Sequence, residues 1–434
     1  MKNSNRQLSA LITASFILMS GCAHVNVNDD ADDLPVNPDD FTTSINYDDL
    51  QHCSFNEEDF GTDYNGYSFR IMSQVLSHSG NDENVMISPA SIMFAMDLAA
   101  AGANGDTLTQ MTDLFSEGAD PLEQQAFAAS MMDRINSSQG VEFSCANAIW
   151  TNSSIMTTGL NPAYQDYVDE YFHAEADEEP FSMDTVVEIN GWIDEHTNGM
   201  IDHVLDELEE DAAAVLVNAI AFEGSWAEAY EDYQVQPMTF TTSQGNDIDV
   251  DMLCGDSYYY YETAEATGFI QSYEGGDYAL LVMLPTDESI SANEFLADFT
   301  VEDYNEFLES RTSDYDVYTR LPEFSYDYTT GLNNVLEELG VVDAFSSTDA
   351  DFTGVGIARD DRNLYIGQVL HKTHIELDRN GTRAAAVTVI VMDAASACLP
   401  EETETRYVYC DRPFAYAIVD TSTMNPIFLG TYNG

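Results

Sequence analysis

The apolar positions of this chain repeat with two different periods, which predicts a mixture of helices and strands. A spacing of three to four residues predicts helices with one buried face, and it occurs in 67–76, 91–101, 121–135, 161–171 and 187–197. Strand-like apolar runs occupy 142–150, 213–222, 278–284, 364–377 and 387–392. Long strands separated by runs of helix predict an α+β fold with large, mostly antiparallel sheets.

The C-terminal part has the pattern of a buried hairpin. Residues 414–420 and 427–431 are both strongly apolar, and the Thr-Ser-Thr-Met-Asn sequence between them is typical of a turn. The globular pattern runs from about Tyr64 to the end of the chain, with no second linker and no internal repeat. We therefore predict one domain over residues 61–434.

The N-terminal residues have the features of an export signal. Lys2 and Arg6 precede an apolar stretch from Leu8 to Met19, and a small-residue cleavage site follows. The stretch is shorter than the roughly 20 residues that span a bilayer. The Ser-Gly-Cys ending resembles a bacterial lipobox, so we expect residues 1–21 to be a lipoprotein signal peptide and Cys22 to be lipidated. An ordinary secretory peptide with a chance cysteine is the alternative.

The segment that follows the signal is acidic and rich in proline. It contains Asp29, Asp30, Asp32, Asp33, Asp39 and Asp40, together with Pro35 and Pro38. Such a composition favours a flexible tether, which we assign to residues 22–60. The protein would then be exported and anchored to the outer face of a cell membrane, extracellular or periplasmic, with the lipid as its only contact with the membrane.

The charge balance is strongly acidic. The 434 residues contain 78 Asp and Glu against 13 Lys and Arg, which gives a net charge of −65. Such a surface repels nucleic acid and anionic lipid headgroups, so neither is an expected partner. It also repels itself, and molar salt, which shortens the screening length to roughly 3 Å, relieves that cost. The acids are spread along the chain, which favours adaptation to salt over an acidic binding function.

Catalytic and metal-binding motifs are absent from the sequence. There is no G-x-S-x-G, H-E-x-x-H, Walker or G-x-G-x-x-G sequence. His371 and His374 would point to opposite faces of a strand, which disfavours a shared metal and favours structural histidines. We therefore expect no enzyme activity, no metal and no cofactor.

The cysteines suggest one disulfide. No C-x-x-C spacing occurs among the cysteines that follow Cys22, which disfavours a zinc site or a redox dithiol. Cys398 and Cys410 bracket an acidic loop and form the candidate pair, because disulfides persist in exported proteins.

The most informative stretch is 376–392. A glycine is followed by small residues and then by a strongly β-favouring run. Alternation places one set of residues on one face, small at its start and apolar at its end: Thr382, Ala384, Ala386, Thr388, Ile390 and Met392. Taken alone, this pattern favours an ordinary core strand.

The same stretch resembles the hinge and reactive-centre loop of serpins, the serine protease inhibitors. The resemblance extends over residues 64–434 and includes further motifs in family order: 84–92 with 102–107, 146–150, 218–226, 321–324 and 411–414. The segment 218–226 matches the family signature Asn-x-x-x-Phe-x-Gly-x-Trp. The chain is thus identified as resembling a serpin, which implies the serpin fold with an exposed reactive-centre loop at about 379–400.

The resemblance implies a mechanism and a set of site residues. A peptidase cleaves the exposed loop, and the freed loop inserts as a new strand of the main sheet before the acyl-enzyme is hydrolysed. The matching positions form three groups. The hinge is Gly381, Thr382, Ala384, Ala385, Ala386 and Thr388; the shutter is Ser88, Ser91, Asn218 and His371; the breach is Trp226, Glu323 and Arg379. A satisfied buried hydrogen-bond cluster is a second and compatible interpretation of the shutter.

Two arginines depart from the family pattern. Arg379 and Arg383 stand where the family usually has glutamate, and Glu323 stands where it usually has lysine. The reversal predicts an ion pair between Glu323 and Arg379 with its charges exchanged. Arg383 would lie on the outward face of an inserted strand.

Counting from Gly381 as in the family places the scissile bond at Ala395–Ser396. A small residue before the bond suits the shallow pocket of an elastase-like or subtilisin-like serine peptidase. The expected function is therefore suicide-type inhibition of such a peptidase by a monomer. The alternative is a non-inhibitory serpin that acts as a binding or structural lipoprotein.

Overall fold

The computed structural model describes residues 41–201, 203–208, 212–360, 362–382 and 403–434, which belong to one compact unit. Its α-helices are α1 (Glu57–Ser77), α2 (Pro89–Ala100), α3 (Gly105–Asp113), α4 (Pro121–Asn136), α5 (Pro162–Phe172), α6 (Met183–His196), α7 (Ala292–Asp298), α8 (Val301–Glu309) and α9 (Asn333–Glu338). Short 3₁₀ helices occupy Tyr47–His52 and Asp343–Phe345.

The strands are interspersed with these helices, singly up to residue 179 and in consecutive runs after residue 213. They are β1 (Met86–Ile87), β2 (Val141–Asn152), β3 (Glu175–Glu179), β4 (Ala214–Ser225), β5 (Val235–Thr241), β6 (Asp247–Ser257), β7 (Tyr260–Glu262), β8 (Ala266–Ser272), β9 (Tyr278–Pro285), β10 (Tyr315–Pro322), β11 (Phe324–Gly331), β12 (Ile366–Asp378), β13 (Gly381–Thr382), β14 (Glu404–Tyr409), β15 (Phe414–Asp420) and β16 (Pro426–Tyr432).

The strands form three sheets, and most neighbours are antiparallel. The central sheet has the order β11-β12-β13-β4-β2-β3, the C-terminal sheet β1-β16-β15-β9-β8-β7, and the small sheet β14-β10-β6-β5. Parallel pairing occurs between β2 and β3, between β4 and β12, and between β10 and β14. The predicted α+β class with large, mostly antiparallel sheets is confirmed.

The long periodic segments fold as predicted because local signals and burial agree. Each predicted helix overlaps an observed one: the bounds of α2, α4 and α5 agree within two residues, whereas the predictions for α1 and α6 begin ten and four residues late. β15 and β16 pair as the predicted hairpin. Helices α4 and α5 begin at prolines whose preceding Asp120 and Asn161 accept hydrogen bonds from backbone N–H groups of the first turn. The predicted strand 387–392 lies outside the described residues.

Strand β4 is buried over residues 214–222 and apolar there except at Asn218, because the central sheet is covered on both faces. Leu216 and Ile220 join the main core, which includes α2 and the C-terminal sheet. Val217 and Ala219 join a second cluster, with Ile189 of α6. Residues on the two faces of one strand therefore enter two different cores, and neither face of this stretch is exposed to solvent.

Part of the segment that we assigned to the tether belongs to the folded domain, so the boundary at residue 60 is wrong. Ile45 and Leu50 are buried in the main core. The ring of Tyr47 stacks on Tyr167 at 4.3 Å, and its hydroxyl donates to Ala101 O at 2.8 Å. The acid and proline cluster ends at Asp40, and the apolar residues that follow it provide enough buried surface to hold the chain against the helices.

The remainder of the tether, the signal peptide and Cys22 lie outside the described residues. Within the part of the chain that the structure does describe, none of the helices combines the length and the apolar character needed to cross a bilayer.

Candidate functional site

The candidate site is the seam of the central sheet, by which we mean the line of contact between β4 and β12. The two strands pair in parallel from Ile366 opposite Ala214 to Thr373 opposite Ile220. At the other end of the seam, β13 lies between them and pairs antiparallel with both, so that Thr382 is opposite Leu377 and also opposite Gly224. The sheet is thus closed along most of the seam and parted by two residues at one end.

Gly381 allows the chain to turn into the seam. Its φ is +154°, and a Cβ atom there would lie 2.0 Å from Gly224 O. Any other residue would therefore clash with the backbone of β4. The turn before it is held by Asp378, whose Oδ1 accepts from the backbone N–H groups of Asn380 at 2.6 Å and Gly381 at 3.2 Å.

The breach residue Trp226 joins the end of β4 to this turn. Its backbone N–H donates to Asn380 O at 2.8 Å, and its indole Nε1 donates to Asp378 O at 2.9 Å. The indole also stacks on Tyr273 at 4.7 Å, and the Tyr273 hydroxyl lies 2.7 Å from Thr382 Oγ1. Thr382 is 1% exposed, so the start of the predicted hinge is already buried.

The structure brings Glu323 and Arg379 together as an ion pair. Arg379 Nε lies 3.4 Å from Glu323 Oε1, and the same oxygen accepts from the Arg379 backbone N–H at 3.0 Å. Asp232 adds a second partner 3.0 Å from Arg379 Nη1, which sequence reasoning missed because Asp232 lies on an irregular loop. The partly exposed contact with Glu323 is worth about 0.2–1 kcal/mol, so it aligns the base of the hinge without locking it.

The shutter residues meet across the closed part of the seam. Asn218 of β4 lies opposite His371 of β12, and Ser88 and Ser91 approach from the start of α2. Asn218 Oδ1 accepts from Ser91 Oγ at 2.7 Å and from His371 Nδ1 at 2.9 Å. Its Nδ2 donates to Ser91 O at 2.6 Å and to Asn147 Oδ1 at 2.6 Å. Asn218 therefore uses its full hydrogen-bonding capacity.

Asn147 is the shutter residue that sequence reasoning missed. It lies on β2 opposite Asn218 and is 2% exposed. The signal available in the sequence was an uncharged amide within a buried strand motif, on the strand next to β4. Its own Nδ2 is buried and has no hydrogen-bond partner among the described residues, which marks the shutter as a place where polar groups are not fully matched.

The hydrogen bonds fix the tautomer of His371. The Ser88 backbone N–H donates to Nε2 at 3.0 Å, so Nε2 is unprotonated and Nδ1 carries the proton. Complete burial lowers the pKa of His371 to about 3, because a charged imidazolium would be desolvated there. His374 is separate from this cluster and contacts Asp327 at 2.9 Å on the neighbouring strand. Within the described residues no group of three His, Cys, Asp or Glu is arranged to hold a metal ion.

Several predicted site residues lie outside the described residues. They are Ala384, Ala385, Ala386 and Thr388 of the hinge, Ala395 and Ser396 of the scissile bond, and Cys398. Cys410 is a fully buried thiol without a partner among the described residues, and burial raises its pKa. Its pairing with Cys398 stays a prediction.

His371 makes the stability of the seam depend on pH. Its pKa is about 3 in the folded protein and about 6.5 in an unfolded chain, so between these values the unfolded chain binds more protons. The contribution of neutral His371 to the free energy of unfolding is complete above pH 6.5 and is lost as the pH falls. We expect the step from pH 7 to pH 5 to cost about 2 kcal/mol through this residue. His371→Gln, which keeps one donor and one acceptor, should remove that part of the dependence.

Denaturant titrations at the two pH values measure this effect. His52→Gln, a change at an exposed histidine, is the matched control. An equal loss of pH dependence in both variants would contradict the assignment to His371.

The comparisons with known proteins agree with this geometry. The family model for Serpin (serine protease inhibitor) matches residues 62–434. An uncharacterized serpin-like protein of Methanosarcina acetivorans is 30% identical over 389 residues, covering 87% of this chain and 88% of the relative. Leukocyte elastase inhibitor A of Mus musculus is 30% identical over 373 residues, covering 82% and 94%.

Solved structures show the same relationship. The native state of the thermophilic serpin tengpin superposes with a TM-score of 0.78 at 32% identity, covering 88% of this chain and 95% of tengpin. The latent state of tengpin gives a TM-score of 0.73 at 29% identity, covering 88% and 99%. Serpins are generally inhibitors of serine proteases rather than enzymes. The family model, the relatives and the fold together establish that this chain belongs to the serpin family.

Proposed function

We propose that this serpin is a suicide-type inhibitor of a serine peptidase, which acts by insertion of its cleaved loop into the seam. The observation that carries the proposal is the position of β13. Gly381 and Thr382 already occupy the space between β4 and β12, while the rest of the seam is closed. A loop released by cleavage would extend a strand that has begun, and the seam would open further from a gap that already exists.

The register of β13 predicts which loop residues would reach the shutter. Thr382 lies opposite Leu377 and Gly224, and antiparallel strands advance two residues at a time on one face. This extension places Thr388 opposite both His371 and Asn218. Ala384 and Ala386 would pass the positions in between, where small side chains fit most easily under a closing sheet.

Insertion must break the hydrogen bond between His371 and Asn218, because one added strand increases their separation by about 4.8 Å. A buried donor and acceptor left unpaired would each cost about 1–3 kcal/mol. The Thr388 hydroxyl can accept from His371 Nδ1 and donate to Asn218 Oδ1. The sequence thus supplies a polar replacement at the register where one is needed, which supports an inhibitory rather than a non-inhibitory serpin.

The target in this proposal is an elastase-like or subtilisin-like peptidase that cleaves between Ala395 and Ser396. Alanine before the bond suits a shallow specificity pocket. The similarity to leukocyte elastase inhibitor A supports the same class.

The proposed location is the outer face of a cell membrane, with Cys22 lipidated after removal of residues 1–21. Residues 22–40 would then serve as the tether, because the folded domain includes the chain from residue 41 onward. The net charge of −65 suits a saline surrounding, where screening reduces self-repulsion. We propose that the inhibitor acts as a monomer, with Cys398 and Cys410 joined.

The first test is to mix the protein with a pancreatic elastase and with a bacterial subtilisin. We expect a denaturant-resistant covalent adduct with at least one of them, and a released fragment that begins at Ser396. Mass spectrometry of the adduct and N-terminal sequencing of the fragment measure both. Cleavage without any adduct would favour the non-inhibitory alternative, and a fragment that starts more than two residues from Ser396 would refute the scissile bond.

A second test blocks insertion at the shutter. Thr382 is already buried in the intact protein, so a charge placed there would also disturb the starting state. Thr388→Arg would instead bring an unpaired charge to His371 and Asn218 only during insertion, at a cost of several kcal/mol. We expect the moles of inhibitor consumed per mole of peptidase to rise at least about ten-fold, because about 1.4 kcal/mol corresponds to a factor of ten in rate.

Arg383→Glu is the matched control, since residue 383 alternates to the outward face. It should leave the stoichiometry unchanged. If Thr388→Arg traps peptidase as efficiently as the parent, the register proposed for insertion is wrong.

A further inference from the structure

The outer face of the small sheet carries an exposed cluster of tyrosines around one arginine, which we call the tyrosine–arginine patch: Tyr318 and Arg320 of β10, and Tyr407 and Tyr409 of β14. The parallel register places Tyr318 beside Tyr407 and Arg320 beside Tyr409. Tyr318 and Tyr407 are stacked at 5.9 Å and are 50% and 59% exposed. Two aromatic rings thus lie side by side in solvent, although burying them would be favourable.

The alternating residues show that the patch is not a displaced part of the core. Val317 and Thr319 of β10 and Val408 of β14 point to the other face and are buried. The small sheet therefore has its apolar face covered in the ordinary way. The tyrosines on the opposite face do not contribute to that packing, so the fold does not explain why they are aromatic.

Arg320 lies over the ring of Tyr409 and has no acidic partner among the described residues. Its guanidinium carbon lies 3.9 Å from the centroid of the Tyr409 ring. Within the described residues no carboxylate forms an ion pair with it, whereas Arg379, Arg406 and Arg412 each have one. In a chain with 78 Asp and Glu, a planar cation without such a partner is a site for a carboxylate from outside.

The composition of the patch is that of a binding surface. The centres of protein interfaces are enriched in tyrosine and arginine and depleted in the acidic residues that cover the rest of this protein. Aromatic and arginine side chains also contribute most of the binding energy where they are buried by a partner.

The position of the patch identifies the partner, on the assumption that the proposed function is correct. Tyr407 follows Ser396 by a stretch of chain that spans no more than about 40 Å when fully extended. A peptidase of ordinary size is about 45 Å across. A peptidase engaged at Ala395–Ser396 can therefore reach β14 with part of its surface.

We infer that the tyrosine–arginine patch is an exosite for the target peptidase. The patch would bind a region of the peptidase surface beside the active site. That region would present a carboxylate to Arg320 and apolar groups to Tyr318 and Tyr407. The patch selects among peptidases that accept alanine before the scissile bond, a residue that itself gives little discrimination.

The experiment compares the parent with the combined variant Tyr318→Ala and Tyr407→Ala, and with Arg320→Gln. The second-order rate of trapping is measured against a panel of subtilisin-like and elastase-like peptidases. An encounter complex that dissociates faster is acylated less often, so lost contacts slow trapping. We expect a loss of about ten-fold or more for at least one peptidase of the panel. The stoichiometry should stay the same, because it is decided after acylation.

The matched control is the combined variant Met183→Ala and Val187→Ala, which removes two apolar side chains of α6 that are 63% and 69% exposed. Its trapping rates should equal those of the parent. Equal rates for the patch variants across the panel would overturn the exosite while leaving the proposed function intact. A change in stoichiometry would also overturn it, since the patch would then act on insertion.

Two other outcomes would change which molecule is assigned to the tyrosine–arginine patch. A concentration-dependent dimer that the patch variant abolishes would assign the surface to a second copy of the chain, and the peptidase assignment would fall. If the parent forms no adduct with any peptidase of the panel, the proposed function fails and the exosite falls with it.

Discussion

The rest of the structure depends on the hydrogen bond between Asn218 and His371. It is strong enough to help close the central sheet and weak enough to be replaced by another hydrogen bond. Along the seam, β4 and β12 are joined by parallel pairing and by the hydrogen bond between Asn218 and His371. Apolar side chains interlocked at this place would have to lose their packing before a strand could pass between them. A hydrogen bond can be exchanged for another of similar energy if the incoming strand carries a hydroxyl group.

The other site residues direct the chain toward that contact. Gly381, which has no Cβ atom, allows the backbone to pass Gly224, and Trp226 holds the turn that precedes it. Glu323 and Arg379 align the base of the hinge through a pair that is partly exposed and therefore weak. Backbone contacts hold Gly381 and Thr382 in place between β4 and β12. Polar contacts that a new strand could replace lie farther along the seam.

The sequence predicted the long helices and the buried strands because their apolar periods are strong and their caps are explicit. Among the elements that it did not predict are β3 and β6, whose sequences Glu-Ala-Asp-Glu-Glu and Asp-Ile-Asp-Val-Asp look like solvated loops in so acidic a chain. In β6 the alternation of Ile248 and Val250 with aspartates was present, but low β-propensity obscured it. β3 is an edge strand, where charge protects against unwanted pairing.

The sequence likewise predicted some of the site residues and missed others. Ser88, Asn218 and His371 were found through the family resemblance, and the structure brings them into contact. Asn147 and Tyr273 were missed because their roles come from strand register and sheet stacking, and the one local signal, an amide in a buried strand motif at Asn147, does not reveal its partner. The apolar anchor near Tyr47 was missed because neighbouring acids dominated the composition of that segment.

The measurement that tests the central claim most directly is the thermal unfolding of the intact protein and of the protein cut within its reactive loop. If the seam accepts the freed loop as a new strand, cutting one peptide bond adds cross-strand hydrogen bonds and buried surface, and the unfolding midpoint rises. An ordinary loop gains nothing when it is cut, and the added chain entropy lowers stability. A midpoint that is unchanged or lower after cleavage would contradict the account.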